Sequence, residues 1–343
     1  MAMYKISKAD LNRLFENIST KNDLFLPTET GGKTNFALWK EDARADLDTL
    51  KTVKSPKDLF FPQSEVLYTC ARQKESWTVT PEAHRETPFV AFGLKACDVR
   101  ALAVLDRVFL SEPVDTYYAA RRKQGTIVSL ACNRPEASCF CGTFGIDCAQ
   151  PEGDVAAWLS DDSLYWEPRT EKGRSLTEQV RDLLEPCGEE EPEKIRAEIR
   201  NIRDRLPLKD LDLSRWGAQA AERNFDSPLW EELYAPCLAC GTCTFVCPTC
   251  QCYDIKDFDT GHGVQRYRCW DSCMYSDFTM MAHGNNRTSQ MQRFRQRFMH
   301  KLAYFPANNE GMFSCVGCGR CVDKCPSHLN IVKVIRAFGR EDA

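Results

Sequence analysis

Hydrophobic residues recur at helical spacing near the start of the chain. Leu11, Leu14, Phe15 and Ile18 would share one face of a helix, and Ser7 precedes them as a candidate N-cap. This pattern predicts an amphipathic helix in the opening segment.

Residues 88–133 contain three successive patterns: a continuous apolar run, a helical pattern and a second apolar run. PFVAFGLKACDVRALAVLDRVFL begins as a buried strand, breaks at Lys95 to Asp98 and continues with apolar residues at helical spacing. GTIVSLACN, residues 125–133, has the composition of a second strand. Strand, helix and strand in this order predict a βαβ unit with parallel strands.

The remaining pattern predicts an α+β multidomain fold. GEEEPEKIRAEIRNIRDRLPL indicates one amphipathic helix that ends before Pro207 and bridges two domains. Beyond about residue 226 cysteines become dense and apolar strands scarce. We therefore expect an α/β domain over residues 1–165, a helical linker over 166–225 and a mostly helical, cysteine-rich domain over 226–343.

Composition narrows the class of protein. With 43% hydrophobic and 27% charged residues and a net charge of -4, the chain is typical of soluble proteins and gives no reason to expect nucleic acid. No apolar run approaches the roughly eighteen residues of a membrane span. The first residues lack the apolar core of a signal peptide, so we expect a cytoplasmic protein. Its nineteen cysteines should then be reduced, and that number suggests metal binding.

An internal repeat carries the clearest chemistry. CLACGTCTFVCP from residue 237 recurs as CVGCGRCVDKCP from residue 315, with every cysteine, one glycine and the proline in register. This is the two-cluster ferredoxin spacing, in which the fourth cysteine ligates the other cluster. The expected sets are therefore Cys237, Cys240, Cys243 and Cys325 for one 4Fe-4S cubane, and Cys315, Cys318, Cys321 and Cys247 for the second.

Zinc is the alternative for these cysteines. Zinc ligands usually come as separated pairs rather than as a run of four cysteines that ends in proline, so the spacing favours iron and sulfur. A cubane held only by cysteine has no open coordination position and transfers single electrons. We therefore expect a ferredoxin-like relay with no catalytic residues of its own.

A basic stretch lies between the two repeats. RTSQMQRFRQRFMHK, residues 287–301, could favour the reduced form of a nearby cluster or dock an acidic partner. The alternative is a solvated helix face.

Two further groups of cysteines could hold a third cluster. Cys97 and Cys132 would emerge at the carboxyl ends of neighbouring strands, and Cys139 and Cys141 follow just after the second strand. The alternative third site is made of Cys250, Cys252, Cys269 and Cys273. Inert packing is the other interpretation of each group. Cys148 is a spare, and we expect Cys70 and Cys187 to be structural.

Nucleotide-binding fingerprints are missing from the chain. No G-x-G-x-x-G follows a strand, so neither NAD nor flavin has its usual binding loop, and no phosphate-binding P-loop is present.

Several motifs together resemble a known family. GLKACDVRALAVLD, SCFC, CLACGTCTFVCPTCQCYD, RCWDSC and FSCVGCGRCVDKCP are similar to the iron–sulfur subunit of anaerobic sulfite reductase and to the β subunits of cytoplasmic hydrogenases and sulfhydrogenases. The resemblance implies an iron–sulfur relay between a flavoprotein that oxidises NAD(P)H and a separate catalytic subunit. By this resemblance the eight ferredoxin ligands fall on motif positions of the family. So do seven other cysteines: Cys97, Cys132, Cys139, Cys141, Cys250, Cys252 and Cys273. Cys269 departs from the pattern.

The leading functional hypothesis is an electron-transfer subunit of a soluble multi-subunit reductase, with sulfite as the terminal acceptor. A hydrogenase relay is the alternative within the same class. From other classes, a stand-alone flavin-dependent oxidoreductase and a structural assembly subunit stay open. Cofactor extraction separates the enzyme from the relay, and a redox titration separates the relay from the assembly subunit.

Overall fold

The computed structural model describes residues 2–73 and 76–340. It confirms the predicted α+β fold, with a sheet region in the N-terminal half and a cysteine-rich region of short helices in the C-terminal half. The predicted division of the chain at residues 165 and 225 stays a prediction.

The strands are, in chain order, Met3–Ser7 (β1), Asp23–Thr30 (β2), Lys33–Leu38 (β3), Ser64–Gln73 (β4), Ser76–Pro81 (β5), Phe89–Leu94 (β6), Gly125–Leu130 (β7), Val155–Leu159 (β8), Ser163–Pro168 (β9), Glu185–Cys187 (β10), Tyr253–Asp259 (β11), Gly263–Trp270 (β12), Met280–Met281 (β13) and Gly284–Asn285 (β14).

The helices are Leu11–Ser19 (α1), Ala96–Phe109 (α2), Thr116–Gln124 (α3), Glu171–Gln179 (α4), Glu190–Arg203 (α5), Ala220–Asn224 (α6), Leu229–Tyr234 (α7), Thr242–Phe245 (α8), Gln290–Met299 (α9), Phe305–Asn308 (α10), Arg320–Asp323 (α11) and Ile331–Phe338 (α12). Short 3₁₀ turns cover Lys8–Asp10, Pro56–Leu59, Cys141–Phe144, Arg181–Leu183 and Asp277–Thr279, and a π-helical turn, His300–Tyr304, continues α9.

The larger sheet positions the N-terminal cysteines. Within the described residues it has eight strands in the order β10-β1-β9-β8-β7-β6-β2-β3. Its central neighbours β2, β6, β7 and β8 run parallel, and the outer pairs are antiparallel. The apolar strands β6 and β8 are buried along their whole length, as expected for strands covered on both faces.

The predicted βαβ unit is confirmed. β6 and β7 are parallel neighbours joined through α2 and α3, and α2 begins at Ala96, directly after the break in the apolar run. The carboxyl ends of both strands therefore lie at the same edge of the sheet. The predicted opening helix is confirmed as α1, which buries Leu14, Phe15 and Ile18.

A second sheet joins distant parts of the chain. Its strands, in the order β11-β12-β4-β5, combine residues 64–73 and 76–81 with residues 253–259 and 263–270. The hairpin of β11 and β12 was not predicted from the sequence, because β11 is exposed along its whole length and carries no continuous apolar pattern. The pairing of β12 with β4 attaches the cysteine-rich region to the sheet region.

Candidate iron–sulfur centres

Three thiols of the first repeat and one of the second line one cavity. The cavity is lined by the predicted first set, Cys237, Cys240, Cys243 and Cys325. Gly241 has a φ of +71°, and a Cβ at this position would lie 2.4 Å from the Tyr275 hydroxyl oxygen. The turn between the second and third cysteines therefore requires glycine.

Polar groups contact the sulfur atoms of this first set. The Leu329 amide donates to Cys325 Sγ at 3.2 Å, and the Gln290 side-chain amide lies 3.7 Å from Cys237 Sγ. The Thr242 hydroxyl and amide lower the pKa of the exposed Cys240 thiol. Burial raises the pKa of the Cys243 thiol to about 11. Such contacts adjust the reduction potential of a bound cluster.

Cys247 of the first repeat lies near the three thiols of the second predicted set. Cys247 interacts electrostatically with each of the thiols of Cys315, Cys318 and Cys321. Burial raises the pKa of Cys318 to about 12. The structure thus brings together both predicted sets, and in each set one cysteine comes from the other repeat.

Three buried cations surround these thiols. Lys57, Arg297 and Lys301 expose only 2%, 3% and 4% of their surface. Within the described residues none of the three forms an ion pair with a carboxylate. Lys57 Nζ donates to the Cys250 carbonyl at 2.7 Å, and Lys301 Nζ donates to the Thr249 hydroxyl at 2.7 Å.

The cations face sulfur from both sets. The Arg297 guanidinium interacts with the thiols of Cys243 and Cys321, one from each set. Burial alone lowers the pKa of Lys301, but the nearby Cys247 and Cys250 thiols raise it above its ordinary value.

This charge pattern tests whether the residues fit iron–sulfur clusters. A buried cation without a negative partner is strongly unfavourable. Cysteine ligands are thiolates and bring the missing negative charge next to the cations. Eight thiols in two groups of four, with cations between them, therefore fit two cysteine-held cubanes.

The N-terminal cysteines meet in another cavity. It is lined by the predicted set Cys97, Cys132, Cys139 and Cys141, and also by Cys148 and by Cys318 of the second repeat. Cys97 lies in the first turn of α2 after β6, and Cys132 follows β7. The neighbouring parallel strands thus bring these two thiols to one edge of the sheet, as the βαβ unit predicts.

Lysine side chains are present at this N-terminal cavity as well. Lys95, which is 6% exposed, faces the thiols of Cys132 and Cys97. Lys51 interacts with the Cys139 thiol and forms an ion pair with Asp323 at 2.7 Å. Burial raises the pKa of Cys132 to about 12. The N-terminal set therefore combines clustered thiols with two neighbouring lysines, of which Lys51 is already paired with a carboxylate and Lys95 has a pKa lowered by burial.

The N-terminal set lies directly against the second ferredoxin set. The Cys97 and Cys318 thiols interact electrostatically, and the Phe140 amide donates to the Gly317 carbonyl at 3.0 Å. Gly317 has a φ of +60°, and a Cβ there would lie 2.4 Å from the Phe140 carbonyl oxygen. The loop with Cys139 and Cys141 therefore packs on the backbone of the second repeat.

The alternative third set is only partly assembled. Cys250 contacts Cys247, and Cys252 contacts Cys273, through thiol hydrogen bonds. Cys269 lies apart on β12, opposite Asp254, and interacts with Lys256 and Asp271 rather than with those thiols. Among the residues that the structure describes, no three His, Cys, Asp or Glu side chains are arranged to hold a single metal ion.

The structure adds Arg320, which lies beside Cys318 and which sequence reasoning missed. It also places Cys148, the spare cysteine of the sequence analysis, beside Cys141. Arg320 lies inside the second cysteine run, and Lys95 directly follows β6. Both residues could have been found from the sequence, because they lie next to predicted ligands. Lys57 lies far from every cysteine motif in sequence, and no local pattern marks it.

Comparison with known proteins identifies the family. Residues 236–329 match a family described as a 4Fe-4S dicluster domain. The chain is 33% identical over 342 residues to sulfhydrogenase 2 subunit beta of Pyrococcus furiosus, with 98% of each chain covered. The chain belongs to the sulfhydrogenase beta subunit family. This membership confirms the family resemblance, and the match over the repeats confirms an iron–sulfur protein.

Neither a solved structure nor a membrane helix adds to this assignment. No solved structure matches the chain. In the described part of the chain, no helix is both long enough and apolar enough to cross a membrane.

Proposed function

We propose that this chain is an iron–sulfur electron relay in a multi-subunit oxidoreductase of the hydrogenase type. The observation that carries the proposal is that three sets of four thiols lie next to one another in the structure. The first and second sets exchange Cys247 and Cys325, and Cys318 of the second set lines the same cavity as Cys97 of the N-terminal set. A continuous series of close redox centres is what electron transfer through a subunit requires.

In this proposal each four-thiol set holds one 4Fe-4S cluster. The ligand sets are Cys237, Cys240, Cys243 and Cys325 for the first cluster, Cys315, Cys318, Cys321 and Cys247 for the second, and Cys97, Cys132, Cys139 and Cys141 for the third. The clusters supply one-electron chemistry when bound. Cys148 lies beside the third set as a neighbour of Cys141 and not as a ligand.

The protein's own residues control the surroundings of these sets. Arg297 and Lys301 supply buried positive charge, which stabilises a centre more as it gains an electron. The amides of Leu329 and Gln290 donate to sulfur of the first set. Apolar side chains such as Phe294 and Phe298, which are 2% and 1% exposed, keep water away from the first cavity.

The partners follow from the proposed relay. The similar protein from Pyrococcus furiosus is, by its name, one subunit of a sulfhydrogenase. We infer that this chain accepts electrons from a flavoprotein subunit that oxidises NAD(P)H and passes them to or from a separate catalytic subunit. Cys240 is the exposed member of the first set, so that set offers one end of the series to a partner.

Isolation of the native complex under anaerobic conditions tests the proposal. The pure chain should contain about twelve iron atoms, against about eight for two clusters alone. It should transfer electrons from NADH or NADPH to a dye only after a flavoprotein partner is added. Turnover of NAD(P)H by the pure chain with bound flavin would instead support a stand-alone oxidoreductase.

The subunit that co-purifies with this chain should identify the terminal electron acceptor. The sequence motifs favour sulfite, whereas the family membership favours a hydrogenase. Hydrogen uptake by the isolated complex would support the hydrogenase relay, and sulfite-dependent oxidation of NAD(P)H would support the sulfite reductase relay. Clusters that are present but cannot be reduced at any accessible potential would support a structural assembly subunit.

A further inference from the structure

The side chain of Gln290 bridges a predicted cluster ligand and an arginine. Its amide nitrogen Nε2 lies 3.7 Å from Cys237 Sγ, and its amide oxygen Oε1 accepts from Arg293 Nη2 at 3.2 Å. These three groups form a hydrogen-bonded series that runs from the guanidinium through the amide to a sulfur atom of the first set.

The start of α9 fixes the backbone under this series. Gln290 is the first residue of the helix, and a capping box closes the helix start through hydrogen bonds between Ser289 and Gln292. Arg293 lies three residues after Gln290, so the two side chains are neighbours on one face of the helix.

A second contact holds the guanidinium in place. Arg293 Nη1 donates to the Arg287 carbonyl at 2.9 Å, and the Arg287 amide donates to Asn285 Oδ1 at 2.9 Å. Arg293 Nε is buried and has no hydrogen-bond partner among the described residues. Within that part of the chain, the guanidinium is therefore held by the Arg287 carbonyl and the Gln290 amide oxygen.

Arg293 determines which atom of the Gln290 amide faces the sulfur. The oxygen and the nitrogen of a glutamine amide have nearly the same shape, so a rotation by half a turn would exchange them. An arginine side chain can only donate hydrogen bonds, and the amide atom next to it must therefore be the oxygen. The amide nitrogen, which carries the donor hydrogens, is then directed toward Cys237.

We propose that Arg293 is a positioning residue that keeps the Gln290 amide donating to Cys237 and thereby raises the reduction potential of the first cluster. This inference rests on the proposed function, in which Cys237 is a cluster ligand. A hydrogen bond to sulfur stabilises a cluster more after it gains an electron, because the negative charge on sulfur is then greater. The guanidinium also polarises the amide, which strengthens its donation to sulfur.

An anaerobic redox titration of the full chain, followed by electron paramagnetic resonance, tests this role. The signal of the first cluster is the one that Cys237→Ala removes. Gln290→Leu removes the donor, and we expect the equilibrium constant for reduction of this cluster to fall by about tenfold, or about 59 mV. Arg293→Met should cause a fall of at least this size, while the midpoint potentials of the other clusters stay unchanged.

A double variant separates positioning from the charge of the arginine. In Gln290→Leu with Arg293→Met, the fall should be clearly smaller than the sum of the two single falls, because the arginine has no amide to orient. Additive falls would show that Arg293 acts only by its own charge and would overturn the proposal.

Arg295→Met is the matched control. Arg295 belongs to the same helix, but its Nη1 donates to the Phe225 carbonyl at 2.9 Å instead of contacting the first set. The midpoint potential of the first cluster should stay nearly unchanged in this variant. A fall equal to that in Arg293→Met would reveal a general effect of positive charge on α9 and would also overturn the positioning role.

Electron–nuclear double resonance of the reduced first cluster gives a second readout. The amide hydrogen that faces Cys237 exchanges with D₂O, so the wild-type chain should show an exchangeable proton coupling that is absent in Gln290→Leu and weakened in Arg293→Met. An unchanged coupling in Arg293→Met refutes the proposal. If that variant loses its iron, Arg293→Gln takes its place, because a glutamine offers oxygen as well as nitrogen and no longer selects one orientation of Gln290.

The outcomes for the positioning role and for the relay can be told apart. A wild-type chain with normal iron content whose first-cluster potential is the same in Arg293→Met refutes the positioning role and leaves the relay untouched. A wild-type chain without iron refutes the relay itself.

Discussion

Arg320 and Asp98 form a buried, two-point ion pair between the cysteine-rich region and the parallel sheet. Arg320 Nη1 lies 2.6 Å from Asp98 Oδ1, and Nη2 lies 3.0 Å from Oδ2. The two side chains expose only 3% and 2% of their surface. Asp98 follows Cys97, and Arg320 lies in the same repeat turn as Cys318, so the pair holds two candidate ligands of different sets next to each other.

Breaking this pair should strongly destabilise the fold. Arg320→Met would leave the Asp98 carboxylate buried without its partner, and we expect the free energy of unfolding to fall by about 3–5 kcal/mol. Arg100→Met, on the helix that carries Asp98, is the control, since Arg100 pairs with Glu152 at the surface and the loss should be at most about 1 kcal/mol. Anaerobic denaturant unfolding followed by circular dichroism measures both. Equal losses in the two variants would contradict the structural role of the buried pair.

Cys247→Ala tests the exchange of ligands between the repeats. Because Cys247 lies with Cys315, Cys318 and Cys321, its loss should damage the second cluster and remove about four iron atoms. Its electron paramagnetic resonance spectrum should match that of Cys315→Ala and differ from that of Cys237→Ala. A spectrum that matches Cys237→Ala instead would show that each repeat holds its own cluster.

A pair of double substitutions locates the third cluster. Cys97→Ala with Cys132→Ala should remove about four iron atoms and leave both ferredoxin signals intact, because the two thiols share the N-terminal cavity. Cys250→Ala with Cys252→Ala should leave the iron content unchanged. Iron analysis and cluster spectra of both proteins give the answer, and loss of iron only in the second protein would place the third cluster beside the hairpin.

Lys301 should raise the potential of the second cluster. Lys301→Met removes a buried positive charge that faces Cys247 and Cys315, and we expect the midpoint potential to fall by about 59 mV, a tenfold change for one electron. Lys301→Arg keeps the charge and should restore most of the potential. Lys256→Met, on the exposed strand β11, is the control and should change little. A spectroscopic redox titration measures the shift, and equal midpoints in all variants would rule out this role for the buried ammonium group.

Local patterns in the sequence predicted a large part of this protein. The repeat from Cys237 and the repeat from Cys315 can be recognised because short spacers and a turn glycine bring three thiols together within seven residues. The βαβ unit could be predicted because its strands and helix have different hydrophobic periods, and this unit also placed Cys97 and Cys132 at one edge of the sheet.

The burial of the basic stretch before the second repeat could not be predicted from the local sequence. The sequence left two interpretations open, a solvated helix face or positive charge beside a cluster. In the structure, Arg297 and Lys301 are buried and face the thiols of the two ferredoxin sets. Burial depends on what packs against a helix, and that information lies outside the helix itself.

Features that depend on neighbours in the chain could be predicted from the sequence: the two cysteine repeats, the parallel strands and the opening helix. The contacts between distant residues become known from the folded chain. It placed Cys318 beside Cys97, brought Lys57 to Cys250, paired strand β12 with β4, and separated Cys269 from Cys252 and Cys273. These contacts join segments far apart in the chain, and they depend on the packing of whole sheets, so no local spacing or periodicity records them.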